Sequence, residues 1–211
     1  MKTYDDIEIE LLWTTPNPHK IISNACSITM KQELADDIKN IEKNLFTMNH
    51  LSAFEHVVFS FYIKGLSRSG VMQLTRHRMA SFTVSSQHYQ EYTKYPLVTS
   101  KSLHKYENEF MNIINIYKKM IDDGIPHFEA RQILPNASSC NLMLTINLRS
   151  LINFMNLRLC SRNTDEILML SIKMRNLILK ELPGLDFLFN TDCKIDKCKQ
   201  QTMRCKNGTN Y

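Results

Sequence analysis

The residues with the clearest chemical potential lie between positions 73 and 89, where basic and hydrogen-bonding side chains are concentrated. Arg76 and Arg78 flank His77, and each guanidinium offers a fixed fork of donors that suits a phosphate, a carboxylate or the carbonyl edge of a heterocycle. Neutral hydrogen-bonding groups follow at Ser85, Ser86 and Gln87. Taken alone, a short motif of this kind is more often a basic helix end followed by a polar loop. The segment therefore indicates an anion site only if other parts of the chain support it.

A second polar set lies on the strongest predicted helix of the chain, residues 141–159. The apolar side chains of this helix recur at helical spacing, at Leu144, Leu148, Leu151, Met155 and Leu159. Arg149 and Asn153 fall one turn apart on another face. Asn147 and Arg158 flank them. A polar set on a largely apolar helix is usually a solvated face, so the pattern leaves a structural and a functional interpretation open.

The arginine-rich segment resembles the signature of the flavin-dependent thymidylate synthases, which runs Arg-His-Arg-x-x-Ser-x-Asn-Glu-x-Ser-x-Arg-Tyr. The residues that match are Arg76, His77, Arg78, Ser81, Ser86 and Tyr89. The chain departs from the signature at Thr83, Val84 and His88, where Asn, Glu and Arg are common. The match to this one motif is therefore partial, and other segments have to support it.

Further segments resemble the same family, in the same order, over roughly residues 7–205. A His-x-x-x-Phe-Glu-His segment begins at His50, and a Glu-Ala-Arg-x-x-Leu-Pro segment begins at Glu129. The pattern Asn-x-Arg-Ser-Leu-x-Asn-Phe-x-x-x-Arg begins at Asn147 and ends at Arg158. Each block is modest evidence, and their combination identifies the chain as a member of this family.

The resemblance implies an α/β (α+β) fold in which a twisted sheet is packed by long helices. It implies assembly as a homotetramer with FAD sites at the subunit junctions. The activity it implies is reductive methylation of dUMP to dTMP, with methylenetetrahydrofolate as carbon donor and NADPH as the reductant of FAD. We expect no nucleic-acid, membrane or metal partner.

The resemblance also implies roles for individual residues. The expected cofactor-binding residues are Ser52, Arg76, His77, Arg78, Asn147, Arg149 and Asn153. The expected substrate-binding residues are Gln73, Arg76, Ser85, Ser86, Gln87, His88, Arg131 and Arg158. Arg158 is also the expected catalytic residue, because a cation near the pyrimidine carbonyl and N3 would stabilise negative charge that develops on the ring.

The departures from the family pattern leave two alternatives open. Val84 lacks the usual carboxylate, and His88 replaces a permanent cation with an imidazole, a group that is mostly neutral at pH 7. Asn163 and Thr164 stand where Ala-Gln is usual. The alternatives are a relative that alkylates C5 of another pyrimidine nucleotide, such as UMP or a cytidine nucleotide, and a non-catalytic flavin- or nucleotide-binding homologue. Ser86 is assigned to binding, since no acid and histidine in a recognisable order would activate it as a nucleophile.

Composition sets the broad class. The chain has 211 residues and a formal net charge of +5, a modest excess that is no nucleic-acid footprint by itself. No apolar run reaches membrane-spanning length and no signal-peptide core opens the chain, so we expect a cytoplasmic protein with reduced thiols. Residues 1–190 are predicted to form one domain and residues 191–211 a Cys- and Lys-rich tail. The thiols of this tail are Cys193, Cys198 and Cys205, and three thiolates without a fourth ligand make a weak zinc site.

Hydrophobic periodicity predicts the elements that must position these residues. Strands are expected at residues 7–13 and 57–63. Helices are expected at residues 19–29, 31–48, 67–74, 102–123, 141–159 and 165–182, the third of them capped by Ser67. Residues 90–96 are expected to form a polar, aromatic loop.

Overall fold

The computed structural model describes residues 1–31, 33–34, 39–191 and 198. Within this part of the chain no helix is long and apolar enough to cross a membrane. Cys193 and Cys205 of the predicted tail lie outside the described residues, as do residues 35–38 of a predicted helix. Cys198 is half-buried and its thiol is free.

A four-stranded antiparallel sheet forms the centre of the fold. Its strands are β1 (Glu8–Thr14), β2 (Val58–Ser67), β3 (Ser81–Val84) and β4 (Ser139–Asn147). They lie in the order β1-β2-β4-β3, and each neighbouring pair is antiparallel. The predicted α/β (α+β) class is confirmed, and the antiparallel pairing places the fold on the α+β side of it.

The sheet has one buried and one open face, because side chains alternate along each strand. The buried-face side chains of the two central strands are Phe59, Phe61, Ile63, Leu142, Leu144 and Ile146. Tyr62 and Met143 are paired on the opposite face, where Met143 is 41% exposed. Trp13, which pairs with Ser60 on the same face, is 51% exposed. The open face therefore carries large apolar groups that the described part of the chain leaves exposed.

Helices cover the buried face. The α-helices of the described residues are α1 (Pro18–Lys31), α2 (Ile41–Thr47), α3 (Arg68–Leu74), α4 (Glu107–Asp122), α5 (His127–Ala130), α6 (Leu148–Arg158) and α7 (Asp165–Glu181). Buried side chains of α1, α2, α3, α6 and α7 join those of the sheet in one hydrophobic core. A smaller core of Tyr92, Tyr117 and Ala130 forms beside α4 and α5.

The predicted helix at residues 141–159 was wrong in its first half. Residues up to Asn147 form β4, and the helix starts only at Leu148. Leu142, Leu144 and Ile146 are buried at a spacing of two, which is the period of a strand. Leu144 and Leu148 also fit the spacing of a helix, and for this reason the sequence pattern predicted a helix there. The change from strand to helix therefore falls at Asn147, which is the N-cap of α6.

The predicted helix at residues 31–48 was also wrong in extent. Where the chain is described again before α2, Lys39 and Asn40 form a turn, and Asn40 has a φ of 57°. Asn tolerates this left-handed conformation better than most residues, and it breaks the helix there. The remaining part is α2, which buries Ile41 and Leu45.

The sequence did not predict β3. β3 is short and pairs only with β4, with Phe82 and Val84 half-buried against the core and Thr83 exposed.

Residues 90–96 are not simply a polar loop. Tyr92 is 2% exposed, and its backbone N–H donates to the Tyr117 hydroxyl at 3.4 Å. Burial raises the pKa of Tyr92 to about 12.

The other predicted elements are confirmed to within a few residues. Strands 7–13 and 57–63 correspond to β1 and β2, although β2 continues to Ser67. Helices 19–29, 67–74, 102–123 and 165–182 correspond to α1, α3, α4 and α7. Ser67 caps α3 as expected, because its side chain accepts from the backbone N–H of Gly70.

A buried carboxylate joins α3 to α7. Glu166 is 3% exposed and accepts hydrogen bonds of 2.6 Å from both the backbone N–H and the hydroxyl of Ser67. Burial raises the pKa of Glu166, and the two bonds from Ser67 oppose that shift. A Cβ on Gly70 would lie 2.8 Å from this carboxylate, so only glycine fits there without movement. This contact fixes the start of the helix that leads into Arg76, His77 and Arg78.

Candidate functional site

The helix that carries most of the candidate site is fixed by its own first residue. Asn147 ends β4, and its side-chain oxygen accepts from the backbone N–H of Ser150 at 2.9 Å. This N-cap satisfies one of the free donors at the start of α6 and sets the direction of the helix. Arg149 and Asn153 then lie on the same side of α6, as the sequence predicted.

That side of α6 forms one wall of a groove with a volume of about 990 Å³. Its opposite wall comes from the end of α2 and from the 3-10 segment Leu51–His56. The lining residues are Phe46, Thr47, Asn49, Leu51, Glu55, His77, Met79, Asn147, Arg149, Ser150, Ile152, Asn153 and Asn156. The groove thus combines apolar walls with amide, imidazole and guanidinium groups, a composition typical of sites for ligands with both a ring system and polar substituents.

His77 is the most buried ionisable residue of the groove. The residue is 9% exposed, and its ring packs edge-on against the ring of Phe154, with 5.5 Å between the two ring centroids. Burial lowers the pKa of His77, a hydrogen bond with the backbone of Ser150 opposes the shift, and the charge of Arg158 adds to it. Within the described residues its Nε2 atom has no hydrogen-bond partner. A buried polar nitrogen of this kind costs free energy unless a ligand or water satisfies it.

An ion pair spans the two walls of the groove. The Arg149 guanidinium donates to a carboxylate oxygen of Glu55, and the two side chains are 52% and 45% exposed. Arg149 is therefore accessible to a ligand, but an anionic ligand would compete with Glu55 for it.

A second cluster surrounds Arg158 at the end of α6. Arg158 donates to the backbone oxygen of Gln73 at 3.2 Å and to the side-chain oxygen of Asn163 at 3.3 Å. Burial, and then the positive charge of Arg76, lower the pKa of Arg158. A guanidinium still remains protonated at any physiological pH. This part of the molecule therefore concentrates positive charge from two arginines, Arg76 in the turn after α3 and Arg158 at the end of α6.

A third group of candidate residues lies after β3. Ser85 continues the pairing with β4 and accepts at its hydroxyl from the backbone N–H of Asn141, at 3.1 Å. The hydroxyl of Ser86 accepts from the backbone N–H of His88 at 3.1 Å. The His88 ring stacks on Phe128 at 5.2 Å, and the Nε of Arg131 donates to the backbone oxygen of Phe128 at 3.1 Å. Phe128 therefore joins the loop that carries His88 to the helix before Arg131.

The structure separates the predicted substrate residues into two places. Ser81 pairs with Thr145 near one end of β3, and Ser85 lies beyond the other end. Four residues of strand span about 13 Å at about 3.3 Å per residue. Among the described residues, no hydrogen bond or ring contact joins the group near Ser85 and Arg131 to Gln73 or Arg158.

The predicted cofactor residues are only partly brought together. His77, Asn147, Arg149 and Asn153 line the groove, whereas Ser52, Arg76 and Arg78 are exposed and outside its wall. Gln87 is half-buried. Among the described residues, no group of three or more His, Cys, Asp or Glu side chains could hold a metal ion.

Sequence reasoning missed several polar groove residues, among them Asn156 and Glu55. Asn156 follows Asn153 by three positions and Arg149 by seven, so its place on the same face of α6 could have been read from helical spacing. Glu55 belongs to the His-x-x-x-Phe-Glu-His segment, but its pairing with Arg149 depends on the packing of distant elements.

The fold and the groove together define an α+β protein whose groove suits a ligand with both a ring system and polar substituents. The chain belongs to the family described as thymidylate synthase complementing protein, whose model matches residues 10–184.

Relatives with established names extend this result over almost the whole chain. The flavin-dependent thymidylate synthase of Geobacter sulfurreducens is 30% identical over 217 residues, which cover 94% of each protein. The flavin-dependent thymidylate synthase of Clostridium tetani is 29% identical over 231 residues, covering 94% of this chain and 93% of the relative.

Solved structures agree with the fold. Thymidylate synthase X (ThyX) of Helicobacter pylori, crystallised with FAD and dUMP, has a TM-score of 0.74 and 24% identity, covering 87% of this chain and 97% of its own. The UMP/dUMP methylase PolB of Streptomyces cacaoi, bound with 5-Br dUMP, has a TM-score of 0.71 and 22% identity, covering 85% of this chain and 93% of its own.

Proposed function

We propose that the protein is a flavin-dependent thymidylate synthase that converts dUMP to dTMP. In the balanced reaction, dUMP, methylenetetrahydrofolate, NADPH and a proton give dTMP, tetrahydrofolate and NADP⁺. Membership of the family and the named relatives along almost the full chain support this activity. The structural observation that carries it is the groove in which His77, Asn147, Arg149 and Asn153 converge.

The groove fits FAD in size and in chemistry. A volume of about 990 Å³ lies at the upper end of the range for small-molecule sites, as a dinucleotide requires. Arg149 supplies a charged donor suited to phosphate, and the amides of Asn147 and Asn153 supply neutral groups. The buried Nε2 of His77, which has no partner among the described residues, is a polar atom that a bound ligand can satisfy. Ser52, Arg76 and Arg78 are exposed, and each is next in sequence to a residue that lines the groove. We propose that they complete the cofactor site.

When bound, FAD supplies the redox chemistry, so the protein's task is orientation and electrostatics. Arg158 is the proposed catalytic residue. Its guanidinium is fixed by two neutral oxygens and lies near Arg76, so its full positive charge is available to a ligand. Placed near the pyrimidine carbonyl, this charge would stabilise negative charge on the ring in the transition state. Gln73 and Arg76 are proposed to contact the same nucleotide.

The remaining proposed substrate residues are Ser85, Ser86, Gln87, His88 and Arg131. They form the group near Ser85 and Arg131. We assign this group to the phosphate and sugar of a nucleotide, because hydroxyls, an amide and a guanidinium are suitable donors for both. Since no hydrogen bond joins this group to Arg158 among the described residues of one chain, we propose that residues of a second subunit complete the nucleotide site.

We propose a homotetramer for this reason. The exposed Trp13 and Met143 on the open sheet face support an assembly that covers that face. The free thiols of Cys26, Cys140 and Cys160 within the described residues suit the reducing conditions of the cytoplasm, where we place the enzyme. We retain residues 1–190 as one catalytic domain and residues 191–211 as a separate tail.

A second candidate substrate is UMP or a cytidine nucleotide. Val84 and His88 depart from the family pattern, and His88 belongs to the group that we propose contacts the nucleotide. The fold is also shared with a UMP/dUMP methylase. The change of nucleotide would leave the flavin groove unaltered.

The decisive experiment is release of tritium from C5-labelled dUMP, UMP and dCMP in the presence of NADPH and methylenetetrahydrofolate. We expect release from dUMP, and a yellow protein after reconstitution with FAD and dialysis. The double variant Arg78→Ala and Arg149→Ala should lose the flavin absorbance while keeping its far-UV circular dichroism. Release only from UMP or dCMP would select the second candidate, and a colourless wild-type protein would contradict the flavin assignment itself.

A further inference from the structure

The short connection between α6 and α7 contacts two residues of the proposed nucleotide site. Asn163 is half-buried and contacts Arg158, while Thr164 contacts Gln73. Both stand at positions where the sequence departs from the Ala-Gln usual in its family. Their contacts give these departures a specific physical role.

The orientation of the Asn163 amide follows from its neighbours. Its nitrogen lies 2.7 Å from the backbone oxygen of Leu157 and 3.1 Å from that of Cys160. Carbonyl oxygens only accept, so the amide nitrogen must face them. The amide oxygen is then left for Arg158, which only donates, at 3.3 Å. Asn163 thereby donates to the backbone oxygen of Leu157 in the last turn of α6 and holds the Arg158 guanidinium with the same amide group.

Thr164 departs from the ordinary use of its position. It is the N-cap residue of α7, where a threonine hydroxyl commonly accepts from the helix backbone, yet it makes no such capping bond. Its hydroxyl donates instead to the side-chain oxygen of Gln73 at 3.3 Å. With that oxygen engaged, the amide nitrogen of Gln73 is the group left to donate to a ligand.

The contacts around Arg158 are neutral. The backbone oxygen of Gln73 and the amide oxygen of Asn163 fix two nitrogens of its guanidinium, and neither carries a charge. A carboxylate at the same place would form an ion pair and reduce the field that Arg158 exerts on a ligand. The neutral contacts therefore fix the direction of the cation and preserve its charge.

We propose that Asn163 and Thr164 are positioning residues that set Arg158 and Gln73 for the pyrimidine nucleotide. This inference rests on the proposed function, in which Arg158 and Gln73 contact that nucleotide. Asn163 acts on the rate of methylation through Arg158, and Thr164 acts on nucleotide affinity through the Gln73 amide.

The test compares Asn163→Asp, Asn163→Ala, Thr164→Val and Thr164→Ser in the full-length protein reconstituted with FAD. Thr164→Val should weaken dUMP binding about five-fold, the loss of one hydrogen bond, and Thr164→Ser should restore it. Asn163→Asp should lower the single-turnover rate at saturating dUMP by about ten-fold or more, because the new carboxylate offsets the charge of Arg158. Flavin reduction by NADPH should stay unchanged in all four. Asn112→Asp on the exposed side of α4 is the matched charge control and should behave as wild type.

The same variants carry a readout that needs no turnover. In crystals grown without nucleotide, Asn163→Ala should move the Arg158 side chain away from Gln73, and an unmoved Arg158 would overturn the inference. Wild-type values for dUMP affinity and single-turnover rate in both Thr164→Val and Asn163→Asp would also overturn it while leaving the proposed function intact. A wild-type protein that neither binds dUMP nor releases its tritium would instead refute the proposed function, and the crystal comparison would still decide whether Asn163 holds Arg158.

Discussion

Arg149 and Glu55 close the groove from opposite walls, with the guanidinium of one bonded to the carboxylate of the other. The pair is about half exposed, so solvent screens it and its net contribution to stability is small. The ion pair does affect ligand binding. An anionic cofactor that bonds Arg149 must displace the Glu55 carboxylate and remain close to its negative charge.

Glu55→Gln should therefore tighten FAD binding by about two- to five-fold, the range expected for one exposed ion pair. The gain should shrink at high salt, because screening weakens the repulsion that is removed. Fluorescence titration of the apoprotein with FAD at 50 and 500 mM NaCl measures both effects. Glu8→Gln, which removes a similar exposed carboxylate beside Lys64, is the control and should bind FAD as wild type does. Weaker binding by Glu55→Gln would mean that Glu55 orients Arg149 for the cofactor.

Arg158→Ala should reduce turnover of dUMP by about 100-fold or more, because it removes a preorganised charge from the reacting ring. Flavin reduction by NADPH should remain close to wild type, since that half-reaction does not need the pyrimidine. Stopped-flow absorbance separates the two half-reactions. Arg158→Lys keeps the charge but loses the forked guanidinium that bonds Gln73 and Asn163. Its turnover of dUMP should therefore fall between that of wild type and that of Arg158→Ala. Equal damage to both half-reactions would assign Arg158 to the flavin or to the fold.

His88→Arg should tighten dUMP binding at pH 8 by about five- to thirty-fold, or about 1–2 kcal/mol, between the typical contributions of a neutral and a charged hydrogen bond. An imidazole in general is mostly neutral at this pH, whereas a guanidinium is always charged. The stack on Phe128 places the new cation beside Arg131. Dissociation constants for dUMP and for deoxyuridine, which lacks the phosphate, should show the gain for dUMP only. A gain for both ligands would place His88 at the sugar or base, and no gain would remove it from the nucleotide site.

His77 makes stability depend on pH in a defined direction. Burial lowers its pKa, so the folded protein favours the neutral imidazole, while the unfolded chain takes up a proton near pH 6.5. The contribution of neutral His77 is fully present above about pH 6.5 and is lost as pH falls toward its lowered pKa. Urea unfolding of the apoprotein at pH 7.5 and 5.5 should show a larger loss for wild type than for His77→Gln. Equal losses would mean that His77 is solvated in solution.

Gly70→Ala should destabilise the protein by about 1–3 kcal/mol, although alanine is ordinarily the better helix former. The reason is the 2.8 Å approach of a Cβ to the Glu166 carboxylate. Urea denaturation measures the change, and Asn112→Ala on exposed α4 should be neutral or slightly stabilising. The double variant Gly70→Ala and Glu166→Ala should lose less than the two separate changes combined, because the clash is absent once the carboxylate is removed.

The family, the fold class and most helices and strands were predicted correctly, whereas β4 was not. Leu144 and Leu148 satisfy a helical series, while Leu142, Leu144 and Ile146 satisfy a strand, and only pairing with β2 decides between them. That pairing joins residues far apart in the chain, so local periodicity could not reveal it.

The candidate site shows the same limit. Helical spacing correctly placed Arg149 and Asn153 together, because both belong to α6. Spacing could not show that Glu55 pairs with Arg149 or that Asn163 holds Arg158, because these contacts depend on how separate elements pack. The roles assigned to Ser52, Gln87 and the other candidate residues remain predictions.

The buried bond between Glu166 and Ser67 has a consequence for how the protein is made. Its two residues are 99 positions apart, so the start of α3 lacks its anchor until α7 has been synthesised. The strand that leads to α6, β4, likewise follows its partner β2 late in the chain. Because the N-terminal part of a chain leaves the ribosome first, the first half emerges with an unanchored Arg76–His77–Arg78 turn and no second wall for its groove. Nascent chains stalled before residue 166 should therefore retain no flavin.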